Sequence, residues 1–181
     1  MKAKHLEHRI KTCLSLASLS PCKRRQFGCV VIDPEANVIL SEGYNGALRG
    51  GSELCGGASC DRDKLKPGCN YEVGCVHAEQ NAIYNAARIG TSLEGSWFII
   101  NGEPCSICAK GIVQVGAKKV ICVSGVFGQL DGVDILQNAG VDVVLVDREM
   151  RNLATALKQP IKLPQMRPAD IAVSPFGSSS T

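Results

Sequence analysis

From residue 4 to about residue 19, Leu6, Ile10, Leu14 and Ala17 recur at helical spacing until Ser20-Pro21 stops the run. This predicts an amphipathic helix leading into the core. Residues 27–33 and 38–44 are β-branched, apolar runs separated by Pro34-Glu35-Ala36-Asn37, which predicts two strands joined by a hairpin turn. From 46 to 74 the pattern dissolves into glycine, cysteine and charge. A loop of that length is usually functional or stapled, and three cysteines inside it, with Cys75 directly after it, offer a staple. Periodicity returns as a helix over 77–89 and a strand over 96–101. A helix then opens at Pro104, where a missing amide costs no hydrogen bond, with Cys105 and Cys108 on its first turn. Further strands are predicted at 119–124 and 142–147, around a short helix over 132–138 closed by Ala139-Gly140. A last helix is expected over 148–158, and 159–181 lacks an apolar period, as an extended or mobile tail would. The expected organisation is one domain over 1–158 followed by that tail over 159–181.

Strand and helix alternate through the second half, which argues for parallel strands with crossover helices, preceded by an antiparallel hairpin. Composition narrows what such an α/β domain can do. At 181 residues the chain fits one domain with a substantial core. An aromatic content of 4% argues against a stacking platform for single-stranded nucleic acid. The net charge of +3 is mild, and the compact basic run Lys23-Arg24-Arg25 is too short to track a polynucleotide but sufficient for one phosphate group. No eighteen apolar residues run together and the N-terminus shows no apolar leader region, so a cytoplasmic protein without a membrane span is expected. Ten cysteines in that compartment point to metal ligands and buried thiols instead of disulfides.

The chemistry concentrates in His77-Ala78-Glu79 and Pro104-Cys105-Ser106-Ile107-Cys108. A catalytic zinc takes three protein ligands and leaves a fourth corner for water. One neutral imidazole and two thiolates fill three corners, and a carboxylate two residues from the histidine can carry the water's proton without ligating the metal. The other two of the three histidines lie near the N-terminus, so His77 has no rival in the body of the chain. A closed structural zinc clip would have no use for Glu79.

The H-x-E and P-C-x-x-C pair resembles the signature of the zinc-dependent cytidine and deoxycytidylate deaminases. The resemblance extends to the basic segment running into Gly28-Cys29-Val30-Val31, Gly43-Tyr44-Asn45-Gly46, His77-Ala78-Glu79-Gln80-Asn81-Ala82-Ile83, Pro104-Cys105-Ser106-Ile107-Cys108-Ala109-Lys110 and Asp131-Gly132-Val133 with Ala139-Gly140-Val141. These marks lie in the order typical of deoxycytidylate deaminases. The resemblance implies a cytidine deaminase-like α-β-α sandwich with a five-stranded mixed sheet, its two zinc-bearing helices side by side on one face. It also implies hydrolytic deamination of a cytosine deoxynucleotide, dCMP to dUMP for thymidylate synthesis, with zinc on His77, Cys105 and Cys108 and Glu79 as proton carrier. Homo-oligomers, often hexamers, and regulation by dCTP and dTTP with magnesium accompany it in the family. The same chemistry on dCTP, or on both nucleotides, is the near alternative. A tRNA adenosine-type editing deaminase and a non-catalytic zinc-binding interaction protein are the alternatives of other classes.

Several residues are candidates for the substrate. Asn45 offers both an amide donor and a carbonyl acceptor to sugar or base, or serves as an ordinary turn residue beside Gly46. Ala78, being small, lets a pyrimidine approach the metal with its backbone as reader, or simply packs in the helix. Arg24 and Arg25 can fork onto a phosphate, or stand solvated before the strand. Arg88 resembles an arginine used near a regulatory nucleotide, although a helix-terminal cation facing the dipole is the commoner reason for one. Two departures stand out. Phe127 replaces a frequent tyrosine that packs on substrate, and Asn101-Gly102-Glu103 replaces a threonine-containing segment, so the rim of the pocket is expected to differ. Cys55, Cys60, Cys69 and Cys75 lie close enough in sequence for a second, structural zinc, although not in compact C-x-x-C pairs.

Overall fold

A computed structural model describes residues 1–51, 60–64, 66, 75–123 and 131–147. The final helix over 148–158, the tail over 159–181, Phe127, Cys55 and Cys69 all lie outside the described residues.

The elements in chain order are α1 (Ala3–Ala17), β1 (Gly28–Asp33), β2 (Val38–Tyr44), β3 (Gly46–Ala47), a 3-10 turn (Asp61–Lys64), β4 (Cys75–Val76), α2 (Ala78–Ile89), β5 (Trp97–Ile100), α3 (Ser106–Gln114), β6 (Lys119–Val123), α4 (Asp131–Asn138) and β7 (Asp142–Val146). Five strands form one mixed sheet in the order β2-β1-β5-β6-β7. β1 is antiparallel to both β2 and β5, whereas β5, β6 and β7 run parallel. The antiparallel hairpin followed by parallel crossovers is the arrangement the element pattern predicts.

Alternation along the strands builds two cores. Cys29, Val31, Phe98, Ile100, Val120 and Cys122 face α2, α3 and α4 through Ala78, Ala82, Ala86, Ala109, Ile112 and Leu136. Val30, Ile32, Ile99, Ile121 and Val144 face the other way and are covered by Leu6, Ile10, Cys13 and Leu16 of α1. The result is a three-layer α-β-α sandwich. Leu14 corrects the predicted stripe of α1, because it is exposed while Cys13 is buried. At 100° per residue, Cys13 stands about 20° from Leu6 around the helix and Leu14 about 80°.

The β1–β2 turn is fixed by Asp33, whose Oδ1 accepts from the amides of Glu35 and Ala36 at 2.8 and 2.9 Å. Asn37 follows with φ of 56°, a left-handed conformation asparagine tolerates well. The stretch expected to be featureless from residue 46 has a closed base instead, since Gly46 pairs with Val76 and Ala47 with Cys75. A two-residue ladder is too short to leave a periodic signal.

Helix α2 lies tightly on β2, where a Cβ on Gly43 would collide with the backbone of Ala78 and Ala82. Three side chains stitch the pair. Ser41 Oγ donates to the Ala82 carbonyl at 2.7 Å, Asn81 Nδ2 to the Tyr44 carbonyl at 2.7 Å and Asn85 Nδ2 to the Glu42 carbonyl at 2.9 Å. The last two satisfy carbonyls of an edge strand, and they fix where the start of α2 sits. Among the described residues no helix is long and apolar enough to cross a membrane.

Candidate active site

Two helix N-termini meet at the site. His77 is the N-cap of α2 and Cys105 the N-cap of α3, both in extended conformation. This corrects the expected helix start: Pro104 and Cys105 stand before the first turn of α3, and Cys108 alone of the two cysteines is helical. An extended N-cap turns its side chain back across the helix end, so Cys105 and Cys108 converge. At α2, Gln80 Oε1 accepts from the His77 amide at 2.9 Å and fixes the cap.

The ligand atoms of His77, Cys105 and Cys108 all lie within 4.8 Å of one another. His77 Nδ1 is 3.5 Å from Cys105 Sγ and 3.4 Å from Cys108 Sγ. Tetrahedral zinc, with bonds of about 2.0–2.1 Å to nitrogen and 2.3 Å to sulfur, sets a nitrogen and a sulfur ligand about 3.5 Å apart. The donor set and its spacing therefore fit zinc. The hydrogen bond from Cys108 draws the Cys105 thiol down to about 3, with His77 adding to the effect. Sharing with Cys105 and burial push Cys108 the other way. The contact between the two sulfurs thus favours a thiolate at Cys105, and both helix N-termini favour negative sulfur.

Glu79 is buried, on the first turn of α2 beside the Cys108 sulfur. Burial raises its carboxyl above the usual range, while its own backbone amide and His77 act in the opposite direction. Such a group holds a proton more readily than an exposed carboxylate does. Ala78 is fully buried between Glu79 and the Gly43 contact.

Asn45 is buried with its amide turned onto the preceding loop: Oδ1 accepts from the Phe27 amide at 2.7 Å and Nδ2 donates to the Arg25 carbonyl at 3.0 Å. Arg24 and Arg25 line an open cavity of about 420 Å³ with Pro21, Cys22, Lys23 and Gln26. Arg24 Nη1 also pairs with Asp63 Oδ1 at 2.6 Å, both groups being exposed. Arg88 lies in the last turn of α2, about 14 Å along the axis from Glu79, and so apart from the three ligands. Cys60 and Cys75 are described, but the one candidate metal cluster among the described residues is His77, Cys105 and Cys108.

Sequence reading assigned no role to Gln80, Asn81, Gly43 or Asn101. Gln80 at the third helical position carried a usable signal, half of a capping box, obscured because histidine replaces the usual serine or threonine cap.

A family model described as the cytidine and deoxycytidylate deaminase zinc-binding region matches residues 3–124. The deoxycytidylate deaminase of Schizosaccharomyces pombe is 31% identical over 132 residues, covering 70% of this chain and 39% of that protein. That of Enterobacteria phage T4 is 42% identical over 78 residues, covering 42% of this chain and 40% of the phage protein. The chain thus spans about two fifths of the length of these curated relatives. Among solved structures, the dCMP deaminase from the cyanophage S-TIM5 in complex with dCMP and dUMP matches with a TM-score of 0.69 at 32% identity, over 81% of this chain and 99% of that one.

Proposed function

The chain belongs to the cytidine and deoxycytidylate deaminase zinc-binding family, and from that premise we propose that it hydrolyses the exocyclic amine of a cytosine deoxynucleotide, converting dCMP to dUMP with release of ammonia. The observation that carries this reading is the buried carboxylate of Glu79 beside three ligand atoms spaced for zinc. Zinc, when bound by His77, Cys105 and Cys108, supplies Lewis-acid chemistry that makes water a nucleophile at neutral pH. Glu79 takes one proton from the attacking water and passes it to the ring nitrogen, then takes the proton left on the added hydroxyl and gives it to the amine, which departs as ammonia while the ring carbonyl forms. Its burial keeps bulk water from competing for that proton. Ala78 leaves room for the ring beside the metal ligands, with its backbone as reader of the pyrimidine edge.

The choice of dCMP is supported by the S-TIM5 enzyme, which was solved with dCMP and dUMP. The basic lining of the cavity at Lys23, Arg24 and Arg25 supports a substrate that carries phosphate. Asn45 retains one amide hydrogen and one carbonyl lone pair beyond its two loop bonds, enough to contact a nucleoside. Assembly into a homo-oligomer, and control by dCTP and dTTP with Arg88 near the effector, belong to the same proposal. Sedimentation with and without the two triphosphates reads both.

Ammonia release from dCMP, dCTP, cytidine, deoxycytidine and an adenosine-containing tRNA stem tests the reading. Fast turnover of dCMP with much poorer turnover of deoxycytidine is expected. Equal efficiency on those two would move the enzyme to nucleosides, and a preference for dCTP would change only the substrate.

A further inference from the structure

The segment joining α1 to β1 is gripped by two asparagine side chains that follow the strands on either side of β1, Asn45 after β2 and Asn101 after β5. Asn45 Oδ1 accepts from the Phe27 amide while its Nδ2 donates to the Arg25 carbonyl. Asn101 repeats the pattern one residue along: Oδ1 accepts from the Gly28 amide at 2.8 Å and Nδ2 donates to the Gln26 carbonyl at 3.0 Å. In a parallel ladder one residue joins the carbonyl of one neighbour to the amide two residues further on. Each carboxamide plays that residue's part here, one on each edge of the backbone from Arg25 to Gly28. Main-chain bonds reinforce both clamps, from Asn45 N to the Phe27 carbonyl at 3.1 Å and from Asn101 N to the Gly28 carbonyl at 3.4 Å.

The clamps connect the basic segment to both walls of the metal site. Asn45 follows β2, whose end is held against the start of α2 by Gly43 and Asn81. Asn101 follows β5 and leads through Gly102, Glu103 and Pro104 to the ligand Cys105. The phenyl ring of Phe27 lies against Gly102, where a Cβ would come within 2.7 Å of it. Gln26 Nε2 adds a bond of 2.8 Å to the Ser20 carbonyl, and the Arg25 amide reaches Cys22 Sγ at 3.5 Å. The backbone under Arg24 and Arg25 is thereby held at several points, although Arg24 itself is an exposed, long side chain.

We propose that Asn101 is a positioning residue for the phosphate end of the substrate, holding the segment that carries Lys23, Arg24 and Arg25 at a fixed place relative to Cys105. This rests on the reading of the chain as a nucleotide deaminase. A charged group that must meet a phosphate while the base sits at the metal contributes through orientation, and a loose segment loses that contribution without altering the metal ligands or Glu79. The signature of the role is a defect confined to phosphate-bearing substrate.

The test is steady-state kinetics of the zinc-loaded full chain on dCMP and deoxycytidine, for wild type, Asn101→Ala and Asn101→Thr, with zinc content measured in each. Asn101→Thr keeps a neutral, strand-compatible residue with one hydroxyl and serves should the alanine variant fold poorly. With two net hydrogen bonds lost, Asn101→Ala is expected to lower kcat/KM for dCMP about tenfold, mainly through KM. Zinc content and kcat/KM for deoxycytidine should stay within about twofold of wild type, and Asn101→Thr should fall between. An equal loss on both substrates, as a general packing defect would give, overturns the positioning role. So does an unchanged preference for dCMP in both variants while wild type shows one. A wild type without preference for dCMP overturns the nucleotide reading and this role together.

Discussion

Glu79 and Gln differ by one titratable proton at nearly constant shape, which makes Glu79→Gln the sharpest probe of the site. The carboxylate ligates nothing in the proposed arrangement, so zinc content and fold should persist. Turnover should fall by about two to four powers of ten, the usual worth of general acid–base catalysis. Zinc analysis beside ammonia release checks this, and a variant with substantial activity would remove Glu79 from the chemistry. The thiols give a second prediction at this scale. Burial pushes Cys13 up to about 12 and also raises Cys29 and Cys122, whereas hydrogen bonding holds Cys105 near 3. The thiolate is the nucleophile, so a raised pKa leaves almost none at pH 8 and a lowered one leaves the group ionised. After chelation, iodoacetamide at pH 8 should modify Cys105 while Cys13, Cys29 and Cys122 stay untouched until unfolding. Peptide mapping reads the order, and early labelling of Cys13 would contradict the burial argument.

At the scale of elements, the contact between α2 and β2 carries the site, because His77 and Glu79 flank the residue that Gly43 touches. Gly43→Ala would force a methyl into the backbone of Ala78 and Ala82. Overpacking of that kind costs about 1–3 kcal/mol, and the shift it forces acts on the first turn of α2. A lower urea midpoint with a marked loss of activity is expected. Asn85→Ala, two turns further along and on an exposed hydrogen bond, should change stability by about 1 kcal/mol or less and leave turnover near wild type. Equal behaviour of the two variants would show that the close approach does not govern the site. Much of this architecture was legible in the chain. Runs such as Cys29-Val30-Val31-Ile32 and Val120-Ile121-Cys122-Val123 mark buried strands, and the two metal motifs mark helix starts by their spacing. What stayed hidden depends on partners remote in sequence. Asn101 reads as a strand-ending turn residue until Gly28, 73 positions earlier, is seen to donate to it. Asn45 reads as a free amide until the loop it holds is in place. Leu14 was misplaced for a different reason: a run of i+4 steps drifts off a helix face that i+3 steps would restore.

The whole molecule has a core that does not depend on the metal. Both faces of the five-stranded sheet are covered by apolar side chains, and His77 and Cys105 lie at helix ends outside those clusters. Zinc would tie the start of α2 to the start of α3, adding a link to a domain that already folds around its sheet. Small zinc modules that owe their core to the ion unfold when it is removed; this chain should not. A ligand that binds only the folded state stabilises it by about 4 kcal/mol when its free concentration is a thousand times its dissociation constant. For a domain of about 150 residues each kcal/mol is worth about 2–4 °C. Chelation should therefore lower the melting temperature by about 8–16 °C while the far-ultraviolet circular dichroism at 25 °C stays native-like. Readdition of zinc should restore both melting temperature and turnover, and Cys105→Ala should melt like the chelated protein and respond little to zinc. Loss of secondary structure on chelation at 25 °C would mean that the ion organises the sheet as well as the site, and the separation of core from chemistry argued here would fail.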